Sequence, residues 1–495
     1  MAAPAETTTA ELQRLLEVQK AARRTEGPPS IRERERRLDV MIQLLLANQE
    51  RLVACVTRDF GVRPAEVTKF ADILMALEAF KTARHHVRGW CKAERRRVDF
   101  PFNAVGASNC VEYQPKGVVG IIAPWNYPIM LLLTPMASAL AAGDSILLKP
   151  SELAPRTAAL MAQLINEAFA ESVARVVLGG PAVSSALASL ELDHLVFTGS
   201  TRVGKLVAQA CAANLVPCTL ELGGKCPVII GTRARIYACA KRIAHGKILN
   251  SGQTCLAPDY VFVEEGRLDE FVQAFEAVIA EMFPEGVMNS GDYASVISPH
   301  HGDRLRALVA EARRSGCRIV ECRGGDAAEA HVDAARRVAP TLICGASEQL
   351  RVSSEELFGP LLVVRPYVKL SDAVQYITAR PKPLAFYYLG PDRREERRAL
   401  DLVSSGGATV NDTIMHVGQE DLPFGGVGAS GSGRTRGRDG FHELSNCRGV
   451  HRQVGLGAQL VLDGLYPPYD RRANVVGVYL WLKMRALRTS RCGVM

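Results

Sequence analysis

Two hydrophobic periods alternate along the chain. Residues 11–92 follow the helical one: Leu38, Met41, Ile42, Leu45 and Leu46 recur three or four apart, and after Pro64 the side chains Phe70, Ile73, Leu74, Leu77 and Phe80 fall on one predicted face. Ser30, three residues before Glu33, predicts a helix start in which Ser30 caps the first turn and Glu33 bonds back to it. These helices carry no visible chemistry and read as structural cover. From residue 117 a short, continuous apolar strand at 118–122 is followed by strands at 145–149, 174–178 and 194–197, alternating with helical stretches at 130–142, 158–168 and 206–213. Unbroken apolar strands belong to a sheet covered on both faces, and their alternation with helices predicts an open parallel α/β sheet of nucleotide-binding type. Strands at 260–263, 317–320, 340–343 and 361–364, with helices at 268–282 and 303–314, predict a second α/β region. Residues 97–114 interrupt the pattern with turn signals and a strand at 110–113, an extended arm reaching another subunit or domain.

Composition narrows the class. At 495 residues, 47% hydrophobic and 23% charged, the chain suits a soluble globular protein of two or three domains. The net charge of +8 sits in local arginine runs that read as solvated faces, and no aromatic–basic interleaving suggests a nucleic-acid groove. Thirteen cysteines without a Cys-x-x-Cys pair, and no Cys/His cluster of zinc spacing, point to a reducing compartment and no metal. Residues 1–10 lack the apolar core of a secretory signal, and no stretch approaches the roughly 20 apolar residues of a membrane span.

Candidate chemistry gathers between Leu220 and Leu256. Glu221 precedes Gly223-Gly224-Lys225, and Cys255 follows Gly252-Gln253-Thr254. A thiol and a general base that meet in space make a covalent-catalysis site. The bland readings are a buried inert cysteine and an ion pair between Glu221 and Lys225. Upstream, the segment from Thr198 to Lys205 has strand–glycine loop–helix form, which presents free N–H groups to a phosphate. Leu206 stands where a magnesium-binding Ser or Thr would follow the lysine of an NTPase loop, so this is either a pyrophosphate contact or a structural turn.

Six motifs agree in order. Pro124-Trp125-Asn126-Tyr127-Pro128, Lys149-Pro150-Ser151-Glu152, Phe197-Thr198-Gly199-Ser200, Leu220-Glu221-Leu222-Gly223-Gly224-Lys225, Gly252-Gln253-Thr254-Cys255 and Glu356-Leu357-Phe358-Gly359-Pro360 together resemble the aldehyde dehydrogenase superfamily over residues 30–450. The segments Cys255–Tyr260, Asn411-Asp412 and Leu422–Gly428 resemble its class 3 and coniferyl aldehyde dehydrogenase branch.

The resemblance implies an aldehyde dehydrogenase-like α/β fold: two open parallel domains and a small oligomerisation arm. The expected divisions are covering helices at 1–96, the arm at 97–116, an NAD-binding domain at 117–222, a catalytic domain at 223–415, a return segment at 416–450 and a tail at 451–495. It implies oxidation of hydrophobic aldehydes to carboxylic acids through a thioester on Cys255, with water activated by Glu221 and the oxyanion received by Asn126. NAD, or NADP, would be held by Trp125, Lys149, Glu152, Gly199, Ser200, Gly204, Leu222, Glu356 and Phe358; a carboxylate at Glu152 would favour NAD by repelling a 2′-phosphate. A cytoplasmic homodimer is expected, with a small aldehyde as partner and no nucleic acid. The rivals are a coenzyme-A-acylating relative, which does not need Glu221, and a non-catalytic scaffold.

Two features depart from the resemblance or exceed it. The branch carries methionine and aromatic or histidine residues after Gly431, whereas this chain reads Ser432-Gly433-Arg434-Thr435-Arg436-Gly437 at a segment that contributes to the substrate mouth. The terminus Cys492-Gly493-Val494-Met495 is similar to a prenylation box, with Lys483, Arg485, Arg488 and Arg491 as a basic signal and an apolar run at 475–482. The alternatives are a membrane-associating tail and an ordinary tail packed on the protein or frayed.

Overall fold

The computed structural model describes residues 6–100, 102–325 and 334–453, with Tyr466, Pro467, Lys483 and Met484 beyond them. Cys492 and the apolar run at 475–482 lie outside the described residues, and no described helix is long and apolar enough to cross a membrane.

The chain forms two units. The smaller comprises Cys91–Gln114 and the residues from Asn446 on. It is built on a three-stranded sheet of β1 (Glu94–Arg96), β2 (Ser108–Pro115) and β16 (Ser445–Arg452). Glu112 pairs with Arg448 at 2.8 Å and Arg452 at 3.0 Å. The third strand straddles the expected division at 450, because the pattern there is too polar to announce a strand.

The larger unit holds both main sheets. The first has the order β15-β7-β6-β3-β4-β5, from β3 (Val118–Ile122), β4 (Ser145–Lys149), β5 (Ala174–Val176), β6 (His194–Gly199), β7 (Cys218–Leu222) and β15 (Gly431–Ser432). All but β15 are parallel. Chain order reverses between β3 and β6, and ligands of such sheets bind in the crevice beyond the strand ends at that switch. Every residue of β3 and β4 is buried, including the polar ends of β4, Ser145 and Lys149.

The second sheet runs β10-β11-β12-β9-β8-β13-β14, built from β8 (Cys226–Ile230), β9 (Pro258–Glu264), β10 (Arg318–Glu321), β11 (Thr341–Cys344), β12 (Leu361–Tyr367), β13 (Ala385–Leu389) and β14 (Gly407–Val410). Only β10 is antiparallel. Cores lie on both faces, one around Val228, Val261 and Phe275, the other around Ile229, Phe262 and Leu305. Each such side chain contributes roughly 1.5–3 kcal/mol on burial. The chain passes from the first sheet to the second at residues 223–225.

Two helix expectations are corrected. Ser30 does cap its helix, accepting from Glu33 N at 3.2 Å, but the Glu33 carboxylate turns to Arg36 and Arg37 instead of back to Ser30. After Pro64 the chain forms Ala65–Thr68, a π-helical turn over Lys69–Leu74, then Met75–Trp90. The wider turn breaks the 3.6-residue phase. Phe70 and Leu74 are therefore exposed rather than packed in the core. The π-turn instead buries Asp72, which pairs with the equally buried Arg63 at 2.6 Å.

Removing one partner of a buried pair costs about 3–5 kcal/mol, against at most about 1 kcal/mol for an exposed one. Asp72→Ala should therefore lower the denaturant midpoint far more than Glu33→Ala in equilibrium unfolding.

Candidate active site

Cys255 enters the site from a turn that the backbone resists. Asn250 (φ 50°), Ser251 (φ 53°) and Gly252 (φ 71°) are consecutive left-handed residues. Non-glycine residues there cost of order 1–3 kcal/mol each. Surrounding hydrogen bonds hold them. Asn250 Nδ2 donates to Asn126 O at 2.9 Å, and Ser251 Oγ donates to Ala294 O. Gln253 Nε2 donates to Asn250 O at 2.9 Å and Ser295 O at 3.1 Å, while its Oε1 accepts from Ile297 N at 2.8 Å. A Cβ on Gly252 would lie 2.2 Å from Gly359 O, so only glycine fits.

Asn126 follows β3 and faces this turn. Its Nδ2 donates to Gln253 O at 3.0 Å, and Tyr127 Oη shares a 2.7 Å hydrogen bond with Thr254 Oγ1. The Arg63–Asp72 pair fixes the loop from below: Arg63 donates to Asn126 O at 3.1 Å, and Asp72 accepts from Ile129 N at 3.1 Å and Met130 N at 3.2 Å. The covering helices thus hold the site, a role absent from the sequence reading. The signal was there, an aspartate inside the apolar run Phe70–Leu74.

Glu221 lies near the end of β7, opposite Gly431 of β15. Its Oε1 accepts from Thr435 Oγ1 at 3.4 Å, and its buried Oε2 has no hydrogen-bond partner. The ion pair with Lys225 does not form. Lys225 pairs with Asp259 and donates to Val352 O and Glu355 O, both at 2.9 Å. Asp259 also accepts from Leu357 N at 2.9 Å, so the two residues fix the loop carrying Glu356 and Phe358.

Most of the remaining candidates stand at or just after the C-terminal ends of β3, β4, β6 and β7. Lys149, buried at the end of β4, holds Glu152 at 2.7 Å. Ser200 caps the helix Thr201–Ala213 by accepting from Val203 N. Gly204 packs on Leu222, where an added Cβ would meet Leu222 Cδ2 at 2.5 Å, and one on Gly199 would meet the Phe197 ring at the same distance. These glycines let helix and loop close on the sheet. Trp125 meets Phe358 edge-on at 5.5 Å and His301, which the sequence reading missed, at 5.1 Å.

A cavity of about 330 Å³ joins the parts. Cys255, Glu221, Leu222, Tyr127 and Thr254 line it together with Phe70, Leu74, Met130, Leu131, Ile414, Met415 and Phe424. Its wall is largely apolar, and its electrostatics follow from that. Desolvation, then the charges of Glu356 and Glu221, push the Cys255 thiol up to about 12. Burial pushes Glu221 up to about 8 against the pull of Arg434, Thr435 and Arg436. Burial, then Asp259, raise Glu356 to about 7. Near neutrality Cys255 and Glu221 favour their protonated forms, and Glu356 is poised between its two forms.

The model of the Aldehyde dehydrogenase family matches residues 1–450. This chain belongs to that family. Family membership places it among the oxidoreductases that act on aldehydes. It is 42% identical over 458 residues to a probable coniferyl aldehyde dehydrogenase of Caulobacter vibrioides, covering 92% of this chain and 93% of the relative. The substrate-bound Staphylococcus aureus AldH superposes with a TM-score of 0.87 at 33% identity, covering 95% of this chain and 99% of that one. The P. syringae AldA indole-3-acetaldehyde dehydrogenase, solved with NAD+ and IAA, superposes with a TM-score of 0.81 at 25% identity, covering 91% and 90%. The expected two-sheet aldehyde dehydrogenase fold is the one observed.

The thiol shift is directly measurable. Alkylation of Cys255 in the cofactor-free protein, followed by peptide mass spectrometry, should keep accelerating with pH and reach no plateau below about pH 10. A plateau near neutrality would contradict the apolar environment described.

Proposed function

We propose that the protein oxidises hydrophobic aldehydes, aliphatic or aromatic, to free carboxylic acids with NAD, or NADP, as electron acceptor. The convergence of Cys255 and Glu221 on one apolar cavity, from different sheets and 34 residues apart, carries the reading.

Cys255 gives its proton to solvent, and its Sγ attacks the aldehyde carbon while the carbonyl oxygen takes the electron pair. Asn126 Nδ2 carries two N–H donors; one is spent on Gln253 O, which leaves the other for that oxyanion alongside the Cys255 N–H. Losing one such donor costs about 3–4 kcal/mol of transition-state stabilisation. The product of oxidation is a thioester on Cys255. Glu221, on the cavity wall, takes a proton from water; the resulting hydroxide breaks the thioester, and the thiol leaves.

The crevice fits a dinucleotide. The free N–H groups of the helix behind Ser200 suit the pyrophosphate, and the Lys149–Glu152 pair suits ribose hydroxyls, with Glu152 disfavouring a 2′-phosphate. Gly199, Gly204 and Leu222 shape the floor, and Glu356, Trp125 and Phe358 would hold the nicotinamide end. When bound, the nicotinamide accepts the hydride lost from the substrate carbon. The reading places the protein in the cytoplasm as a homodimer, with the three-stranded unit as its assembly arm. An unchanged partition between cytosol and membrane in Cys492→Ser would argue for an ordinary tail.

Cys255→Ala should abolish NADH formation across a panel of aliphatic, aromatic and phenylpropenal aldehydes. Glu221→Gln should leave a first burst of NADH and slow steady turnover by about 10²–10⁴-fold. Because burial keeps Glu221 protonated below about 8, the wild-type steady rate should rise with pH through that value, as the carboxylate forms. Glu221→Gln should lose this limb; its survival would reassign the base.

A further inference from the structure

Asn126 belongs to a closed ring of hydrogen bonds that begins outside the cavity. Arg63 Nη1 donates to Asn126 O at 3.1 Å, and Asn126 Nδ2 donates to Gln253 O at 3.0 Å. Gln253 Nε2 donates to Ser295 O at 3.1 Å, and Ser295 N donates to Val62 O at 2.8 Å. Val62 and Arg63 are neighbours in the chain, so the ring closes on itself. The turn carrying Cys255 and the loop carrying Asn126 are two of its sides. Another is the short segment between the helices Gln49–Phe60 and Ala65–Thr68, and neither Val62 nor Arg63 lines the cavity.

The Arg63 side chain is fully buried and charged, and its Nε has no hydrogen-bond partner. A buried ion pair rarely adds net stability over apolar packing, and an unmade bond weakens it further. The contacts of the guanidinium point to another role. Arg63 and Asn250 Nδ2 together fill both lone pairs of Asn126 O, which fixes that peptide from two sides. The guanidinium carbon lies 5.0 Å from the ring centre of Tyr127, whose hydroxyl bonds Thr254 beside Cys255. Asp72, held by Arg63, receives Ile129 N and Met130 N, so the loop is pinned a second time just after Asn126.

Resting on the dehydrogenase reading above, we propose that Arg63 is a positioning residue for the oxyanion: oriented by Asp72, it sets where the free N–H of Asn126 Nδ2 points relative to Cys255. A displacement of about 1 Å in such a donor is enough to cost roughly 100-fold in rate.

The test measures NADH formation in a single turnover, with enzyme in excess over benzaldehyde, or over hexanal where benzaldehyde gives none. This reports the steps up to the thioester. Arg63→Lys keeps a cation beside Asp72, but one ammonium does not span Asp72 and Asn126 O as the guanidinium fork does. The single-turnover rate should fall by roughly 10- to 100-fold. KM for NAD and the rate of Cys255 alkylation by iodoacetamide should stay unchanged, because neither depends on an oxyanion. In an Asn126→Ala background the same substitution should slow the reaction by less than about twofold, since the group it acts through is gone. Should Arg63→Lys lose its cooperative melting transition, Asp72→Asn, which keeps an acceptor for Ile129 N and Met130 N, carries the comparison. A wild-type rate in the folded single variant, an equal slowing in both backgrounds, or a parallel fall in Cys255 alkylation would overturn the proposal and leave the dehydrogenase reading standing. NADH from no aldehyde with the wild type would overturn both.

Discussion

Three consecutive left-handed residues, Asn250, Ser251 and Gly252, are the constraint around which the site is arranged. The turn brings Cys255 out of the second sheet's core to the cavity, and it persists only because hydrogen bonds from several directions over-determine it. Gln253 ties it to the segment around Ser295, and Asn250 ties it to the loop after β3. That loop is held in turn by Arg63 and Asp72, whose pair is fully buried. The strain of the turn and the desolvation of the ion pair are met by the same bonded network. Elements far apart in sequence, the π-turn near residue 70 and the turn at residue 250, thus set one geometry.

The second organising fact is the low polarity of the cavity. The Cys255 thiol and the Glu221 carboxyl face a common apolar space, and they and the buried Glu356 are each displaced toward the neutral form. The arrangement keeps the Cys255 thiol largely un-ionised and keeps a raised-pKa carboxyl where it can exchange protons near neutrality. Arg434 and Arg436 moderate Glu221 without pairing with it directly. The cations that follow Gly431 therefore act on Glu221 as well as on the cavity wall.

The six motifs made the fold family and most candidate residues legible, because local backbone demands leave marks in sequence. Gly252 is a glycine since no side chain fits against Gly359, and Gly204 is one since the helix must close on Leu222. The unbroken apolar strand β3 announced a sheet covered on both faces. Less local features left weaker marks. The π-turn shifted Phe70 and Leu74 off the face their spacing predicted, and the polar strand Ser445–Arg452 had no pattern to give it away.

The sequence by itself determined the α/β class, the division between the sheets at residues 223–225, and the identities of Cys255, Glu221 and Asn126 as candidates. Each rests on a period or motif confined to a short window. Only the tertiary structure decided the pairings. Lys225 turned to Asp259 rather than Glu221, Asp72 joined Arg63 beneath Asn126, and Arg436 met Glu420 on the cavity wall. A charged side chain can reach many partners, and which one it takes depends on which groups folding removes from water at the same place.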